Sequence, residues 1–186
     1  MHDLNSHAHA RLLIVDDNRA IHNDLRKVLG VDQPASGLAA SAAALFGDAP
    51  EQASTPRYDI DSAYQGMEAL ELVRAARAEG RPYALAIVDM RMPPGWDGVE
   101  TIEHLWQEDA NLQVCICTAF SDYSWADISG RLKSNDSWLI LKKPFDNIEV
   151  CQVAAALTEK RRLGELAHLR LQDLEARVAE RTAALH

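Results

Sequence analysis

At 186 residues, the chain is long enough to bury one good hydrophobic core with residues left over. Apolar residues make up 47% of it and charged residues 25%, which is typical of globular domains, and the formal net charge of −9 argues against nucleic acid or an anionic membrane surface as a general partner. No apolar run is long enough to span a bilayer and the first ten residues hold no apolar signal core, so we expect a cytoplasmic location.

The hydrophobic pattern alternates between two kinds of segment along the chain. Short, nearly continuous apolar runs, and one alternating run at 57–64, predict strands, and apolar residues three and four apart predict helices. In chain order these are a strand in 11–18, a helix at 20–30, a strand at 57–64, a helix at 66–80, a strand at 83–89, a helix at 98–107, a strand at 112–120, a weaker helix at 122–133, a strand at 137–146 and one long helix from 147 onward. Five strand–helix pairs predict a parallel sheet with helices on both faces.

Three segments fall outside this alternation. Residues 1–9 have no apolar pattern, and we expect a flexible tail there. Residues 31–56 are rich in Ala, Ser, Gly and Pro, and we interpret them as an insertion between the first helix and the second strand, in which 39–46 could form a short helix. The main domain is therefore predicted over 10–159, and 160–186 is predicted to extend the last helix beyond it.

Polar side chains follow four of the five predicted strands. Asp16 and Asp17 follow the first strand, Asp89 the third, Thr118 the fourth and Lys143 the fifth. In such folds the functional site lies at the carboxyl ends of the strands, so we expect these side chains to converge. Three neighbouring carboxylates stay ionised only beside a cation, and oxygen ligands suit Mg²⁺. A lysine and a hydroxyl can hold an anion next to that metal, which suits attack of a carboxylate on a phosphoryl group.

The strand ends resemble the receiver domain of bacterial two-component response regulators. The resemblance rests on Asp16-Asp17, on Asp89 followed by Met-Arg-Met-Pro, on Thr118-Ala119 and on Lys143-Pro144-Phe145, and it covers roughly 10–159 apart from the insertion. It implies an α/β, flavodoxin-like fold: a doubly wound, five-stranded parallel sheet of order 2-1-3-4-5 with an extended C-terminal helix. It also implies a phosphoryl-accepting signalling switch rather than an enzyme that turns over an external substrate.

The resemblance assigns the acidic residues to phosphorylation and to a metal. Asp89 is expected to accept a phosphoryl group from a histidine kinase or phosphotransfer protein. Asp17 and Asp89 are expected to ligate Mg²⁺ directly, together with the backbone carbonyl of Arg91, while Asp16 acts mostly through water.

The resemblance assigns switch roles to the remaining strand ends. Thr118 is expected to move toward one phosphoryl oxygen and Lys143 to pair with another, with a cis Lys143–Pro144 bond. Phosphorylation is then expected to change the face made by helix four, strand five and helix five. The chain departs from the family pattern at Ile140, where an aromatic residue is usual, so the common threonine–aromatic coupling is in question.

Two other functions stay open on the residues. A haloacid-dehalogenase-type phosphatase also uses a strand-end aspartate, but such enzymes carry a second acid two residues later, where this chain has Arg91. A constitutive dimerisation scaffold would keep the fold without the switch and would show no Mg²⁺ binding that depends on Asp17.

Several polar residues also have simpler structural explanations. Asp16 and Asp17 could cap the helix that follows them. Asp97, before Gly98, is expected to be a turn or N-cap residue rather than a second nucleophile. Cys115 and Cys117 lie two residues apart on one apolar strand and are expected to be reduced core thiols, because two cysteines without a second pair are poor evidence for zinc.

The last helix continues past the end expected for the domain. Its apolar residues have 4-3-4-7 spacing, which predicts a coiled-coil seam and a homodimer: Ala167, Leu171, Leu174, Val178 and Leu185. The alternative is a solvated amphipathic helix packed on its own domain. The stretch from Leu174 to His186 resembles the connector helices that precede output modules in multidomain signalling proteins, so we expect 160–186 to be a coiled-coil connector helix and the output module to be missing or separate.

Overall fold

In the computed structural model, which describes residues 9–30, 57–119, 125–132 and 136–183, five strands alternate with five helices. The strands are β1 (Ala10–Val15), β2 (Tyr58–Ala63), β3 (Leu85–Asp89), β4 (Gln113–Thr118) and β5 (Trp138–Lys142). The helices are α1 (Arg19–Leu29), α2 (Gly66–Ala78), α3 (Gly98–Glu108), α4 (Trp125–Arg131) and α5 (Asn147–Ala183). Among these helices, none has both the length and the apolar character that crossing a membrane requires.

The five strands form one parallel sheet of order β2-β1-β3-β4-β5, which confirms the predicted fold class and topology. Pairing is in simple register: Val15 lies opposite Val88, and Val88 lies opposite Ile116. All three central strands therefore end at the same edge of the sheet. Because this edge carries the carboxyl ends, the residues that follow the strands are brought together there.

Alternate residues of each strand face opposite layers of helices, as the two-residue period of a strand requires. Leu13 and Val15 belong to the core shared with α2, α3 and α4. Leu12 and Ile14 belong to the core shared with α1 and α5. Both faces are covered, which explains why the central strands β1, β3 and β4 are nearly continuous apolar runs, whereas the edge strand β2 alternates.

Helix α1 does not use Asp16 or Asp17 as its N-cap. Its N-cap is Asn18, whose side-chain oxygen accepts a hydrogen bond from the backbone N–H of Ala20. Asp16 and Asp17 therefore do not cap the helix in this way, and the simpler explanation for them is not supported. The cap at Asn18 lets β1 pass into α1 within three residues, so both acids stay at the sheet edge.

Helix α5 is continuous over 37 residues, but only its first part is packed on the sheet. Val150, Ala154 and Leu157 are buried against β-strand residues, and Arg161 is the last buried residue of the helix. Beyond it, Leu171 and Leu174 are more than half exposed. These exposures contradict the alternative that this part of the helix packs on its own domain.

Several predictions fall on residues outside the described ranges. These are the tail over 1–8, the insertion over 31–56 with its short helix, and the seam residue Leu185. The domain boundaries at 10–159 and 160–186 therefore stay predictions.

Candidate functional site

Three carboxylates meet at the carboxyl edge of the sheet. One oxygen from each of Asp16, Asp17 and Asp89 lies within 4.8 Å of the others. The neighbouring strands β1 and β3 deliver them, since the pairing of Val15 with Val88 sets the residues that follow side by side. Asp16 is buried, Asp89 is half-buried and Asp17 is exposed, so the cluster has one side open to solvent.

Lys143 reaches into this cluster from the end of β5. Its ammonium donates to Asp16 Oδ2 at 2.8 Å and to Asp89 Oδ1 at 2.7 Å. The Lys143 backbone N–H donates to the Thr118 carbonyl at 2.9 Å, which holds the root of the side chain beside β4. The Lys143 ammonium thus links the ends of β1, β3 and β5, and it offsets part of the repulsion between the carboxylates of Asp16 and Asp89.

Backbone donors complete the hydrogen bonding of the two inner acids. Asp16 Oδ1 accepts from the N–H of Asn18 at 2.8 Å, and Asp89 Oδ2 accepts from the N–H of Arg91 at 2.9 Å. All four oxygens of Asp16 and Asp89 therefore have a donor. Among the residues that the structure describes, none donates a hydrogen bond of this kind to the exposed Asp17 carboxylate, which makes it the acid most accessible to an incoming ion.

Burial and charge shift the ionisation of the central groups. Burial raises the pKa of Asp89, and the opposing hydrogen bonds from Lys143 and from the Arg91 backbone do not cancel it. Burial lowers the pKa of Lys143, but its hydrogen bonds to Asp16 and Asp89 outweigh burial, so the net pKa is raised and the lysine stays charged. Three carboxylates and one ammonium leave an excess of negative charge at the site.

The donor set fits a hard divalent cation. All candidate ligand atoms are oxygens, they lie close together, and the exposed Asp17 leaves an open side where water could complete the coordination. A soft metal is poorly matched, because the nearest thiols, Cys115 and Cys117, are buried in the core beneath the strand. Cys115 and Cys117 are therefore free thiols buried in the core, as expected from the sequence.

Thr118 and its neighbours lie at the other side of the cluster. The Thr118 side chain is buried, and its hydroxyl donates to the Ala119 carbonyl at 3.0 Å. The Lys143–Pro144 bond is cis, as expected, and Pro93–Pro94, which was not singled out in the sequence, is cis too. Ile140 is partly buried against the core shared with α2, α3 and α4, so an aliphatic side chain fills the position that is usually aromatic in the family pattern.

The loop after β3 is held against the site by close packing at Gly98. A Cβ atom at Gly98 would lie 2.4 Å from the Asp89 carbonyl oxygen and 2.8 Å from the Met90 Cα, so only glycine fits. Asp97 is the N-cap of α3 and accepts from the N–H of Glu100 at 2.7 Å, which confirms its expected structural role. Asp89 is thus the acid of this loop that belongs to the cluster.

His22 is a residue that the sequence analysis missed. The apolar spacing over 20–30 predicts that Ile21, Leu25 and Leu29 share the buried face of α1, whereas the buried residues are His22, Leu25 and Leu29 and Ile21 is only partly buried. The signal was present, because His22 lies three residues before Leu25 and therefore shares its face. Its ring forms a hydrogen bond with the backbone carbonyl of Asp16 at 2.7 Å, so His22 contacts the backbone of the acidic cluster rather than its carboxylates.

A five-stranded parallel sheet with acids and a lysine at its carboxyl edge is characteristic of receiver domains, the phosphorylatable modules of two-component signalling. The family model for the response regulator receiver domain matches residues 51–155, more than half of the chain, and the chain belongs to this family. The matched segment includes Asp89, Thr118 and Lys143. Asp16 and Asp17 lie before it, on the other side of residues 31–50.

Similar proteins of known name agree with this family. Response regulator MprA of Mycobacterium ulcerans (strain Agy99) is 28% identical over 153 residues, which cover 82% of this chain but only 52% of MprA, so the chain spans about half of that protein. Sporulation initiation phosphotransferase F of Bacillus subtilis (strain 168) is 30% identical over 93 residues, 50% of this chain and 68% of that protein. The fold also matches a response regulator receiver domain protein from Methanospirillum hungatei JF-1, with a TM-score of 0.57 and 16% identity over 83% of this chain and 98% of that one.

Proposed function

We propose that Asp89 accepts a phosphoryl group from a histidine kinase or phosphotransfer protein, with Mg²⁺ held by Asp16, Asp17, Asp89 and the backbone carbonyl of Arg91. The observation that carries this proposal is the ammonium of Lys143, which bonds Asp16 and Asp89 at once. A carboxylate flanked by a fixed cation and by two further acids has what phosphoryl transfer needs: a nucleophile, a positive charge and a place for a metal.

The transfer breaks the P–N bond of a phosphohistidine and forms a P–O bond to a carboxylate oxygen of Asp89. The released imidazole keeps the electron pair and takes up a proton from solvent. When held by the three acids and the Arg91 carbonyl, Mg²⁺ supplies positive charge that offsets the charge of the phosphoryl oxygens. Asp16, which is buried and bonded to Lys143, contributes mostly through water.

Both oxygens of Asp89 accept hydrogen bonds before the reaction, so one of them must exchange its partner. Lys143 is suited to do so, because an ammonium has three donors and keeps its bond to Asp16 as an anchor. Its second bond then passes from Asp89 to a phosphoryl oxygen. The hydroxyl of Thr118, which donates to Ala119 in the present arrangement, turns to another phosphoryl oxygen.

The response spreads from Thr118 and Lys143 into the face formed by α4, β5 and α5. The Lys143 backbone bonds the Thr118 carbonyl, so a movement at β4 is felt directly at the end of β5. Helix α5 begins at Asn147, four residues after Lys143, and continues without a break into the exposed part of the helix. This supports a relay from the phosphorylation site to a separate output module.

Phosphoryl transfer is tested with a small-molecule phosphodonor, acetyl phosphate, in the presence of Mg²⁺. Intact-mass spectrometry is expected to show one added phosphoryl group on the wild type and none on Asp89→Asn or without Mg²⁺. Asp97→Asn is the matched control, since asparagine caps a helix as well as aspartate and Asp97 lies in the same loop. No gain on the wild type, or an equal gain on Asp89→Asn, contradicts the proposal and leaves the dimerisation scaffold.

We also propose that the exposed part of α5 pairs with a second copy in a coiled coil. Leu171, Leu174 and Val178 are each more than half exposed along one seam, and Asp173 and Arg177 form an ion pair at 3.0 Å beside it. Sedimentation analysis is expected to give a dimer that Leu174→Glu dissociates. Leu169→Glu is the matched control, because Leu169 is equally exposed but lies off the seam. A wild-type monomer, or equal loss in both variants, contradicts the dimer.

A further inference from the structure

A chain of hydrogen bonds runs from the surface of α1 to the backbone under the acidic cluster. The Arg26 guanidinium donates to the Ser62 hydroxyl at 3.0 Å, Ser62 bonds His22 Nδ1 at 2.8 Å, and His22 Nε2 bonds the Asp16 carbonyl at 2.7 Å. The first donor is exposed and the last acceptor is buried. The residues come from α1, β2 and the end of β1.

The partners of His22 fix the direction of this chain. A carbonyl oxygen can only accept, so Nε2 of His22 carries a hydrogen and donates it to Asp16. In the tautomer with the hydrogen on Nε2, Nδ1 of His22 is an acceptor, and Ser62, which accepts from Arg26, donates its hydroxyl hydrogen to Nδ1. Every donor is therefore matched with an acceptor in one order: Arg26, Ser62, His22, Asp16.

The Asp16 carbonyl, which accepts the hydrogen bond from His22, lies between the two residues whose carboxylates enter the acidic cluster. It belongs to the peptide group that joins Asp16 to Asp17, just beyond the last β1 residue in the sheet, Val15. The N–H of Asp16 still bonds the Ala63 carbonyl at 3.2 Å, but β1 ends before the carbonyl, so the sheet supplies it with no partner. Rotation of this peptide would swing the two acids apart, and the bond from His22 opposes that rotation.

The imidazole is itself held in place. Its ring packs against Tyr64 with a centroid distance of 4.7 Å, and the Arg19 guanidinium lies 4.9 Å from the centroid of the same tyrosine ring. The His22 side chain is only 2% exposed. A buried imidazole with both nitrogens bonded and one face covered has little freedom to change its rotamer.

We propose that His22 is a positioning residue of the acidic site, which fixes the Asp16–Asp17 peptide so that both carboxylates face the same divalent cation. Ser62 and Arg26 support it by keeping the imidazole in the donating tautomer. This inference rests on the proposed function, since it concerns how Asp16 and Asp17 are oriented toward the Mg²⁺ that the proposed function requires. His22 neither touches the cation nor takes part in the transfer, and its effect passes through the backbone.

The experiment measures the affinity of the purified full chain for Mg²⁺ by isothermal titration calorimetry. His22→Phe keeps a ring of similar size but loses both hydrogen bonds, and its Kd is expected to weaken about tenfold, at the low end for residues that orient metal ligands. Ser62→Ala removes only the support of the tautomer, and a loss of about threefold is expected. His22→Gln restores an N–H donor at the reach of Nε2 and is expected to recover most of the affinity.

Leu25→Ala is the matched control for stability. Leu25 lies on the same face of α1 and is fully buried in the hydrophobic core between α1 and the sheet. It is expected to lower the melting temperature at least as much as His22→Phe while leaving the Kd for Mg²⁺ unchanged. If the two variants lose affinity alike, or if neither does, His22 is an ordinary core residue and the inference is overturned.

A second experiment, NMR spectroscopy of the His22 ring, needs no metal and accompanies the calorimetric titration with Mg²⁺. Long-range ¹H–¹⁵N correlation, with the His22 signals assigned by their loss in His22→Gln, is expected to show the Nε2–H tautomer in the wild type and a mixed population in Ser62→Ala. An Nδ1–H tautomer in the wild type overturns the inference. A wild type with the Nε2–H tautomer but without Mg²⁺ binding overturns the proposed function instead, so the two failures are distinguishable.

Discussion

The guanidinium of Arg161 lies 3.0 Å from the carboxylate of Asp109, and both side chains are less than a tenth exposed. Asp109 is the C-cap of α3, so this buried ion pair ties the last docked turn of α5 to the end of another helix. Burial lowers the pKa of Arg161, but its hydrogen bonds to Asp109 and Glu165 outweigh burial and raise it. The pair marks the point where α5 leaves the domain.

Arg161→Met is expected to lower the free energy of unfolding by about 3–5 kcal/mol, because it leaves the buried Asp109 carboxylate without its cation. Urea denaturation followed by circular dichroism measures the loss. Arg162→Met is the matched control: it removes a neighbouring arginine whose ion pair with Glu159 is exposed, and no measurable change is expected. Arg161→Met with Asp109→Leu is expected to recover much of the stability, and equal losses in Arg161→Met and Arg162→Met would contradict the assignment.

Asp89→Asn is expected to stabilise the metal-free protein by about 1 kcal/mol. Because burial raises the pKa of Asp89, the folded state holds that proton more tightly than the unfolded chain does. The wild type therefore loses stability as the pH rises through the raised pKa, and the asparagine variant lacks this loss. Thermal unfolding in EDTA between pH 4 and 8, to be compared with Asp97→Asn, measures it, and a less stable Asp89→Asn at neutral pH would refute the explanation.

Asp61 is expected to make the opposite contribution to the pH dependence of stability. Burial raises its pKa, but hydrogen bonds from Arg11 at 2.8 Å and from Tyr83 at 2.7 Å outweigh burial and lower it. Its stabilisation is therefore complete above the unfolded-state pKa and is lost as the pH falls through the lower folded-state pKa.

Asp61→Asn is accordingly expected to cost about 1 kcal/mol at neutral pH and almost nothing in strong acid, a small value because the side chain is 42% exposed. Urea denaturation at pH 7 and at pH 2.5 measures the difference. Asp59→Asn, two residues earlier on β2 and paired with Arg81 at an exposed position, is the matched control. An equal cost for Asp61→Asn at both pH values would show that the carboxylate charge does not matter.

Two glycine-to-alanine substitutions are expected to have opposite signs. Gly98→Ala is expected to destabilise by about 2–3 kcal/mol, because its Cβ would overlap the backbone at Asp89 and Met90. Gly164→Ala is expected to stabilise by about 1 kcal/mol, because it lies inside α5 with open space around it. Thermal unfolding of both variants measures the signs, and a stabilising Gly98→Ala would mean that the loop after β3 shifts easily.

The fold and the strand-end residues could be predicted from the sequence because both follow from local patterns. Apolar runs of the right length predict strands, and parallel pairing brings the residues that follow them to one edge, which predicts that Asp89 and Lys143 lie close together. The cap role of Asp97 followed from its position before a helical glycine. These features need only the order of residues along the chain.

Other features depend on contacts between distant segments and could not be predicted. Nothing in the neighbourhood of His22 indicates that a serine forty residues away will bond its ring. Arg161 and Asp109 are separated by fifty-two residues and each looks like an ordinary surface charge until the helices pack.

Arg161 also divides α5 into two unequal arms. The docked arm, from Asn147 beside the acidic site to Arg161, is about 22 Å long, and the arm beyond it, to Ala183, is about 33 Å. If Asp89 is phosphorylated as proposed, the Arg161–Asp109 contact acts as the pivot of a lever. A small shift of the docked arm, produced by the change in the α4–β5–α5 face, is then reversed in direction and enlarged at the end of the longer arm.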